Sequence, residues 1–245
     1  MDDEKRFAGS ISDEYDLIRL VMPHFDELQT LVAQTITAYP QSGTIPLKVL
    51  DLGCGSGLTT EAILAARQDI QLIALDSEEK MLRQTEARLW SQIQQGHCQL
   101  VLEDALTYLE QQPDHTLDII ASALTLHNMT QSYRASLHAQ ILRVLKAGGL
   151  FVNADKYAPQ DDRERFECLG VALNRFFDTF VPLGKLDQLR EWVLHNVADQ
   201  NPDHVMKEQD TIAALHDLGF INIRINHRRN LEAVLTAWKP NGKPV

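Results

Sequence analysis

The chain has 245 residues, of which 44% are apolar and 23% charged, and its formal net charge at pH 7 is -11. This acidic balance disfavours a nucleic-acid partner, and no apolar run reaches the roughly 18 residues that cross a bilayer. Three scattered cysteines indicate neither a disulfide framework nor a zinc site, and the charged segment 1–6 is unlike a signal sequence, so we expect a cytoplasmic protein without a metal or a membrane partner.

The first segment of the chain has the pattern of amphipathic helices. Apolar residues recur at three- and four-residue spacings over residues 11–39, the period of helices that bury one face. Pro23 divides this segment, and we place it in the first turn of the second helix. A turn is expected at residues 40–43. Residues 11–40 are thus predicted to form a helical lid.

Short apolar strands alternate with helices over residues 47–156. The predicted strands cover residues 47–52, 71–75, 98–102, 117–123 and 149–154. The predicted helices cover residues 58–67, 78–90, 105–109 and 132–145. Apolar strands separated by helices are typical of a parallel sheet covered on both faces, and right-handed crossovers make it doubly wound.

The remaining chain departs from this alternation. Three helices, predicted at residues 163–180, 184–197 and 205–218, would form a cap insertion spanning 157–218. Strands at 221–226 and 232–238 would form an antiparallel hairpin on the sheet edge within residues 219–240, with the basic residues 227–229 in its solvated turn. We therefore predict one α/β domain with a Rossmann-like, doubly wound, mostly parallel seven-stranded sheet.

The strongest local signal is the segment 49–59, VLDLGCGSGLT, in which a buried strand enters a glycine-rich turn that opens a helix. Bare amides and a helix N-terminus favour an anionic ligand group there. A dinucleotide fingerprint would need a glycine at Leu58, and a phosphate-binding P-loop would need a lysine followed by serine or threonine. Both of these ligand classes are therefore disfavoured.

This segment resembles the first motif of class I S-adenosylmethionine-dependent methyltransferases, a strand with an acidic residue followed by G-x-G-x-G. The matching residues are Asp51, Gly53, Gly55 and Gly57, and the resemblance covers residues 47–156. It implies S-adenosyl-L-methionine as cofactor and S-adenosyl-L-homocysteine as product. The methionine carboxylate would lie near the loop amides, including that of Cys54, and the ammonium near Asp51.

The resemblance continues at Asp76, 19 residues after Gly57 at the end of the second strand. A carboxylate there can accept hydrogen bonds from both ribose hydroxyls of an adenosine. Ser77 continues the pattern, and Met81 resembles the apolar residue that packs on adenine. The alternative is that Asp76 only caps the next helix, forming a capping box with Glu79.

Two further segments resemble cofactor contacts of the family. Glu103, Asp104 and Ala105 follow the third strand at the adenine-contacting position, although Asp104 could instead cap a helix. Ser122 and Ala123 end the fourth strand, where such sheets bind ligands through the backbone.

The N-terminal helices resemble those of a subset of the family that includes carboxy-S-adenosylmethionine synthase-like proteins. The resemblance implies that Arg19 pairs with the methionine carboxylate and that Tyr15 packs nearby. Alternatively, both are surface or packing residues of an amphipathic helix.

Methyl transfer needs mainly in-line placement and a dry pocket, with a base only where the acceptor has a proton to lose. His127 is the candidate general base, although a histidine among apolar neighbours is often structural. Aromatic residues of the cap line a substrate pocket or belong to the helix core; they are Phe166, Phe176, Phe177, Phe180 and Trp192.

We therefore expect a methyltransferase for a small-molecule acceptor, and we allow for a homodimer. The chain lacks the Asn-Pro-Pro-Tyr motif of many methylases of bases and glutamine, and its 122–127 segment resembles small-molecule methyltransferases. One alternative is an enzyme that modifies the cofactor itself, as carboxy-S-adenosylmethionine synthase does. Another is a regulatory protein that binds the cofactor without turnover.

Overall fold

A computed structural model describes residues 15–40 and 46–242. The helical prediction for residues 11–14 and most of the predicted turn at 40–43 lie outside the described residues. Within the described ranges, none of the helices combines the length and apolar character that a membrane span requires.

The fold is an α/β structure around one seven-stranded sheet. The strands are β1 (Leu47–Leu52), β2 (Ile70–Asp76), β3 (Cys98–Leu102), β4 (Leu117–Ala123), β5 (Leu145–Lys156), β6 (Ile221–Arg229) and β7 (Glu232–Trp238). Their spatial order is β3-β2-β1-β4-β5-β7-β6. β1 to β5 are parallel, and β7 pairs antiparallel with both β5 and β6. This arrangement confirms the predicted sheet and its edge hairpin.

Nine α-helices are present in the described residues. They are α1 (Ile18–Val21), α2 (Phe25–Thr37), α3 (Leu58–Ala66), α4 (Glu79–Gln94), α5 (Ala105–Gln111), α6 (Gln131–Val144), α7 (Asp162–Phe180), α8 (Leu186–Ala198) and α9 (Glu208–Leu218). Short 3₁₀ turns occupy Tyr15–Leu17 and Leu126–Asn128. Pro23 lies in the turn before α2, not in its first helical turn as predicted, and His24 is the N-cap residue.

Alternate residues of the central strands belong to two separate cores, one on each face of the sheet. Val49 and Ile119 contribute to the core that contains the apolar residues of α2 and α3. Their chain neighbours Leu50 and Ile120 contribute to the core beneath α5, α6 and α9. Because strand side chains alternate between faces, continuous apolar strands are what a doubly covered sheet requires.

The predicted cap needs one correction. α7 and α8 pack on each other, and α1 packs against α7, so these helices form the cap. The third predicted cap helix, α9, instead packs on α6 and β6 and buries Leu215 in the core of the second sheet face. The spacing of apolar residues shows which face of α9 is apolar. It does not show whether that face packs on other cap helices or on the sheet, so the position of α9 could not be predicted from it.

The predicted solvated turn at residues 227–231 is wrong. The basic residues His227, Arg228 and Arg229 belong to β6, which pairs with β7 as far as Arg229. Arg228 forms an ion pair with Glu208 of α9, and Arg229 lies 3.6 Å from Glu27 of α2. These carboxylates offset the positive charge, so the strand continues through the cluster.

Candidate active site

A cavity of about 580 Å³ lies along the carboxyl ends of β1 to β4. The strand order reverses between β1 and β4, and this is where doubly wound sheets bind ligands. Its volume is within the range of small-molecule sites. The cofactor residues predicted from sequence that line it are Tyr15, Gly53, Cys54, Gly55, Asp76, Ser77, Met81, Glu103, Asp104, Ala105 and Ala123.

The glycine loop forms one wall of this cavity. The amides of Gly53 and Cys54 donate to the carbonyl of Leu75 over 2.8 and 2.9 Å, which ties the loop to β2. Gly53 has a φ of +72°, and a Cβ there would come within 2.2 Å of the Thr125 side chain. A Cβ on Gly55 would meet nothing within 4 Å, so bare backbone faces open space at that point. A ligand can therefore approach this backbone closely.

Asp76 connects the loop to the second strand. Its Oδ2 accepts a hydrogen bond of 2.8 Å from the amide of Gly55, and its Oδ1 accepts one of 2.9 Å from the amide of Glu78. Burial raises the pKa of Asp76, and these amide hydrogen bonds oppose that effect. The N-cap position of α4 is Glu78, so Asp76 does not occupy the capping position that the alternative interpretation gave it.

Asp104 occupies the capping position that the sequence allowed, and it also lies on the cavity wall. It is the N-cap residue of α5, accepting from the amide of Thr107 over 2.9 Å, and it also lines the cavity. Its Oδ2 accepts a 2.6 Å hydrogen bond from the Tyr133 hydroxyl. Burial acts to raise the pKa of Asp104, but the hydrogen bonds from Tyr133 and Thr107 outweigh it and lower the value.

Asp51 lies behind the loop and not on the cavity wall. Its side chain is fully buried, and its Oδ2 accepts a 2.6 Å hydrogen bond from the Thr60 hydroxyl. Within the described residues its Oδ1 has no hydrogen-bond partner. Burial raises the pKa of Asp51 to about 7, with the Thr60 hydrogen bond opposing and Asp76 adding to the rise. A cationic group bound at the loop would favour the ionised carboxylate.

Three other predicted cofactor residues also do not line the cavity. Gly57 is the N-cap of α3 with a φ of +85°, and Ser122 donates to the Leu52 carbonyl over 2.8 Å. Arg19 is half exposed and donates to Asp26 over 2.8 Å. The geometry at Arg19 thus corresponds to the surface-residue alternative, because a nearer carboxylate holds the guanidinium.

The residues present fit S-adenosylmethionine. The open space at Gly55 lets a ligand approach the loop backbone closely, and the orphaned Asp51 oxygen lies behind the same loop, where a cationic group of the ligand would favour its ionised form. Asp76 lies on the cavity wall, and its carboxylate oxygens can accept hydrogen bonds from the hydroxyl groups of a ligand.

A second, smaller chamber of about 40 Å³ adjoins the cavity and shares Tyr15 and Leu124 with it. α1, α7 and α8 enclose this chamber over the ends of β4 and β5. Its polar lining residues include His127, Lys156 and Arg175. Of the predicted cap aromatics, Phe176 and Trp192 line the chamber, whereas Phe166 and Phe177 are about half exposed and Phe180 is fully buried.

His127 is fixed in the chamber wall by Asp155. Its Nδ1 lies 2.6 Å from Asp155 Oδ1, while Asp155 Oδ2 accepts from the amide of Leu126 over 2.8 Å. Burial acts to raise the pKa of Asp155, but the charge and hydrogen bond of His127, with those of nearby amides, outweigh it and lower the value. The His127 Nε2 lies 3.8 Å from Asp199 Oδ2, and Lys156 Nζ lies 2.9 Å from that same oxygen.

The sequence interpretation missed several residues of both spaces. Gln29, Thr125 and Tyr133 line the cavity, but no motif marks them because each comes from a different loop or helix. His195 and Asp199 had a detectable signal, since polar residues four positions apart share one face of a helix.

Comparison with known proteins supports the site. Residues 49–149 match a family model described as a methyltransferase domain. A demethylmenaquinone methyltransferase of Leptospira interrogans is 34% identical over 109 residues, 44% of this chain and 43% of that protein. A carboxy-S-adenosyl-L-methionine synthase of Campylobacter fetus is 23% identical over 164 residues, 65% of this chain and 64% of the relative. The chain thus matches less than half the length of the first of these relatives.

Solved structures share the fold. A SAM-dependent methyltransferase from Archaeoglobus fulgidus aligns with a TM-score of 0.61 and 16% identity, covering 92% of this chain and 100% of that one. An O-methyltransferase family protein from Burkholderia thailandensis aligns with a TM-score of 0.67 and 15% identity, covering 98% of this chain and 64% of that one. Residues 49–149 thus match a methyltransferase domain, and the glycine loop and the sheet order of the chain fit the Rossmann-like fold of S-adenosylmethionine-dependent methyltransferases.

Proposed function

We propose that the protein transfers the methyl group of S-adenosylmethionine to a small-molecule acceptor whose reacting group lies in the chamber under α7 and α8. The observation that carries this proposal is that the chamber shares Tyr15 and Leu124 with the cofactor cavity. An acceptor there would approach the cofactor from the cap side. The cap and α1 cover part of this space, which suits a reaction that depends on placement in a pocket with few water molecules.

The cofactor is proposed to lie along the ends of β1 to β4. Its methionine part would lie along the open backbone at Gly55, and Asp76, whose two oxygens each accept one amide hydrogen bond, would also accept from the ribose hydroxyls. The adenine would lie between Met81 and the segment at Asp104. When bound, the cofactor supplies a methyl group that its sulfonium sulfur has already activated.

His127 is proposed as the catalytic residue on the acceptor side. Asp155 holds its Nδ1, so the opposite nitrogen, Nε2, is the one available to the chamber. A neutral imidazole in that position can take a proton from the acceptor. Alternatively, it can bind a metal ion that promotes ionisation of the acceptor.

A second candidate function is chemistry on the cofactor itself, as in the carboxy-S-adenosyl-L-methionine synthase relative. An added carboxylate would need a cation in the pocket, and Arg175 of α7 lines the chamber. A cytoplasmic location and a homodimer stay predictions.

Methyl transfer from labelled cofactor tests the proposal directly. The full chain is incubated with S-adenosylmethionine labelled on its methyl group and with fractions of small metabolites, and the products are identified by mass spectrometry. We expect a labelled small molecule and one equivalent of S-adenosylhomocysteine, and Asp76→Asn reduces both. A modified cofactor without a methylated product would support the second candidate, and cofactor binding with neither product would contradict both.

A further inference from the structure

His127 and His195 of the chamber wall, together with Asp199 beside them, form a cluster of ligand atoms larger than a single general base requires. His127 Nε2 lies 3.8 Å from Asp199 Oδ2, and His195 Nε2 lies 3.9 Å from Asp199 Oδ1. The ligand atoms of the three residues all lie within 4.8 Å of one another. Their side chains are at most 7% exposed. The two distances are too long for hydrogen bonds.

We propose that His127, His195 and Asp199 bind one divalent transition-metal ion of the zinc type, with an open coordination position facing the chamber. Two imidazoles and one carboxylate form a known donor set for catalytic zinc, which leaves one position to water or substrate. In a tetrahedral zinc site, ligand atoms are roughly 3.3 Å apart, because each bond is roughly 2.0–2.1 Å long. The observed spacings need only a small inward movement of the side chains.

The elements that carry these ligands present them to one point. His195 and Asp199 are four residues apart, the first in the last turn of α8 and the second at its C-cap, so they lie on the same face of the helix. His127 comes from the 3₁₀ turn after β4. The His195 ring also packs edge-on against Trp192, with ring centroids 5.9 Å apart, which restricts its orientation.

Asp155 supplies the support that metal-bound histidines usually have. A carboxylate on Nδ1 fixes the tautomer in which Nε2 carries the lone pair. Asp155 is itself fully buried and accepts from the amides of Leu126 and Lys156 over 2.8 Å each. The His127 ring therefore cannot easily turn away from the cluster.

The charges in this wall also favour a cation. With both imidazoles neutral, the charged groups at the chamber are Asp155, Asp199 and Glu232 against Lys156 and Arg175, which leaves a net charge of -1, and burying an uncompensated charge is costly. Lys156 lies 2.9 Å from Asp199 Oδ2, and Oδ1 is the oxygen nearer His195 that would bind the metal. A divalent ion makes the net charge positive, so an anionic oxygen would fill the open position.

Together with the proposed function, this site indicates an acceptor with an ionisable hydroxyl. Its proton is released to solvent as the oxygen binds the metal. An oxygen lone pair then forms the bond to the methyl carbon, and the electrons of the broken carbon–sulfur bond go to sulfur.

Metal titration of the full chain tests the proposal without turnover. Protein stripped with a chelator is titrated with Co²⁺, whose visible absorption reports coordination, and with Zn²⁺ followed by elemental analysis. We expect one equivalent per chain, an affinity loss of more than tenfold in His195→Gln and Asp199→Asn, and a loss of roughly 10–100-fold in Asp155→Asn. The exposed His216→Gln variant on α9 is the matched control and keeps full binding.

Cofactor calorimetry on each variant shows whether the fold is intact, because His195 and Asp199 do not line the cofactor cavity. Binding of less than a tenth of an equivalent of metal per wild-type chain would overturn the proposal. Unchanged metal affinity in both His195→Gln and Asp199→Asn would also overturn it. If metal-free protein keeps its methyl transfer and His127→Gln abolishes it, His127 acts as a general base instead. Metal binding without any methyl transfer would leave the site standing and refute the proposed function.

Discussion

At the scale of single residues, the site is built from carboxylates whose surroundings differ. Asp51 is fully buried with one oxygen unpartnered among the described residues, so burial raises its pKa to about 7. Asp104 is held by Tyr133 and Thr107, and its pKa is lowered despite burial. A buried carboxyl group stays ionised at low pH only where hydrogen bonds stabilise its charged form by more than burial destabilises it.

The raised pKa of Asp51 predicts a pH-dependent stability. The folded chain holds a proton on Asp51 up to about pH 7, whereas the unfolded chain releases it near pH 3.8. Protonated Asp51 therefore makes its full contribution to the free energy of unfolding below about pH 4. That contribution is lost as the pH rises to about 7. Between pH 5 and pH 7 the free energy of unfolding should fall by about 2 kcal/mol through this group. Asp51→Asn should lack that part of the decrease.

Urea unfolding of both proteins without cofactor, at several pH values from 4 to 8, measures the difference. Titrating groups that do not interact with Asp51 contribute equally to both proteins and cancel. Identical pH profiles would show that Asp51 is ionised in the folded chain at all these pH values.

Residue identity was predictable where a backbone motif fixes position. The spacing of Gly53, Gly55 and Asp76 predicted residues that do line the cavity. Arg19 was not predictable, because its competing partner Asp26 only becomes a neighbour once α1 and α2 are placed. The pairing of His127 with Asp155 likewise depends on the register of β4 and β5.

At the scale of elements, the glycine loop is constrained by strand ends rather than by its own sequence. Gly53→Ala would strain a φ of +72° and place a methyl group 2.2 Å from the Thr125 side chain. We expect a loss of about 1–3 kcal/mol in stability and at least tenfold weaker cofactor binding, because the loop must move.

Gly170→Ala in α7 is the matched control. Its new Cβ would meet no atom within 4 Å, and alanine is favoured over glycine in helices by up to about 1 kcal/mol. Thermal unfolding and cofactor calorimetry compare the two variants. Equal stability and equal affinity would mean that the loop tolerates a side chain at residue 53.

Elements differ in how far sequence determines them. The central strands follow from apolar runs between helices, whereas β6 was predicted to end at residue 226 because three basic residues follow it. Those residues stay in the strand because α2 and α9 bring carboxylates to them. The placement of α9 likewise depends on which neighbour covers its apolar face.

At the scale of the whole molecule, two adjoining spaces follow from the chain order. The parallel sheet places the cofactor cavity at the ends of β1 to β4, and the cap with α1 closes the chamber beside it. The cavity was predictable because the sheet topology alone determines its location. The chamber was not, because it needs contacts between Tyr15 and Trp192, which are 177 residues apart in the chain.

The central claim is that the cavity along β1 to β4 binds S-adenosylmethionine, and isothermal titration calorimetry of the full chain tests it most directly. We predict one site per chain for S-adenosylmethionine and for S-adenosylhomocysteine. Asp76→Asn should weaken the affinity for each of the two compounds by tenfold or more, at least about 1.4 kcal/mol of binding free energy. The exposed Asp217→Asn variant should leave both affinities unchanged. A folded chain that gives no binding heat with either compound would contradict the claim.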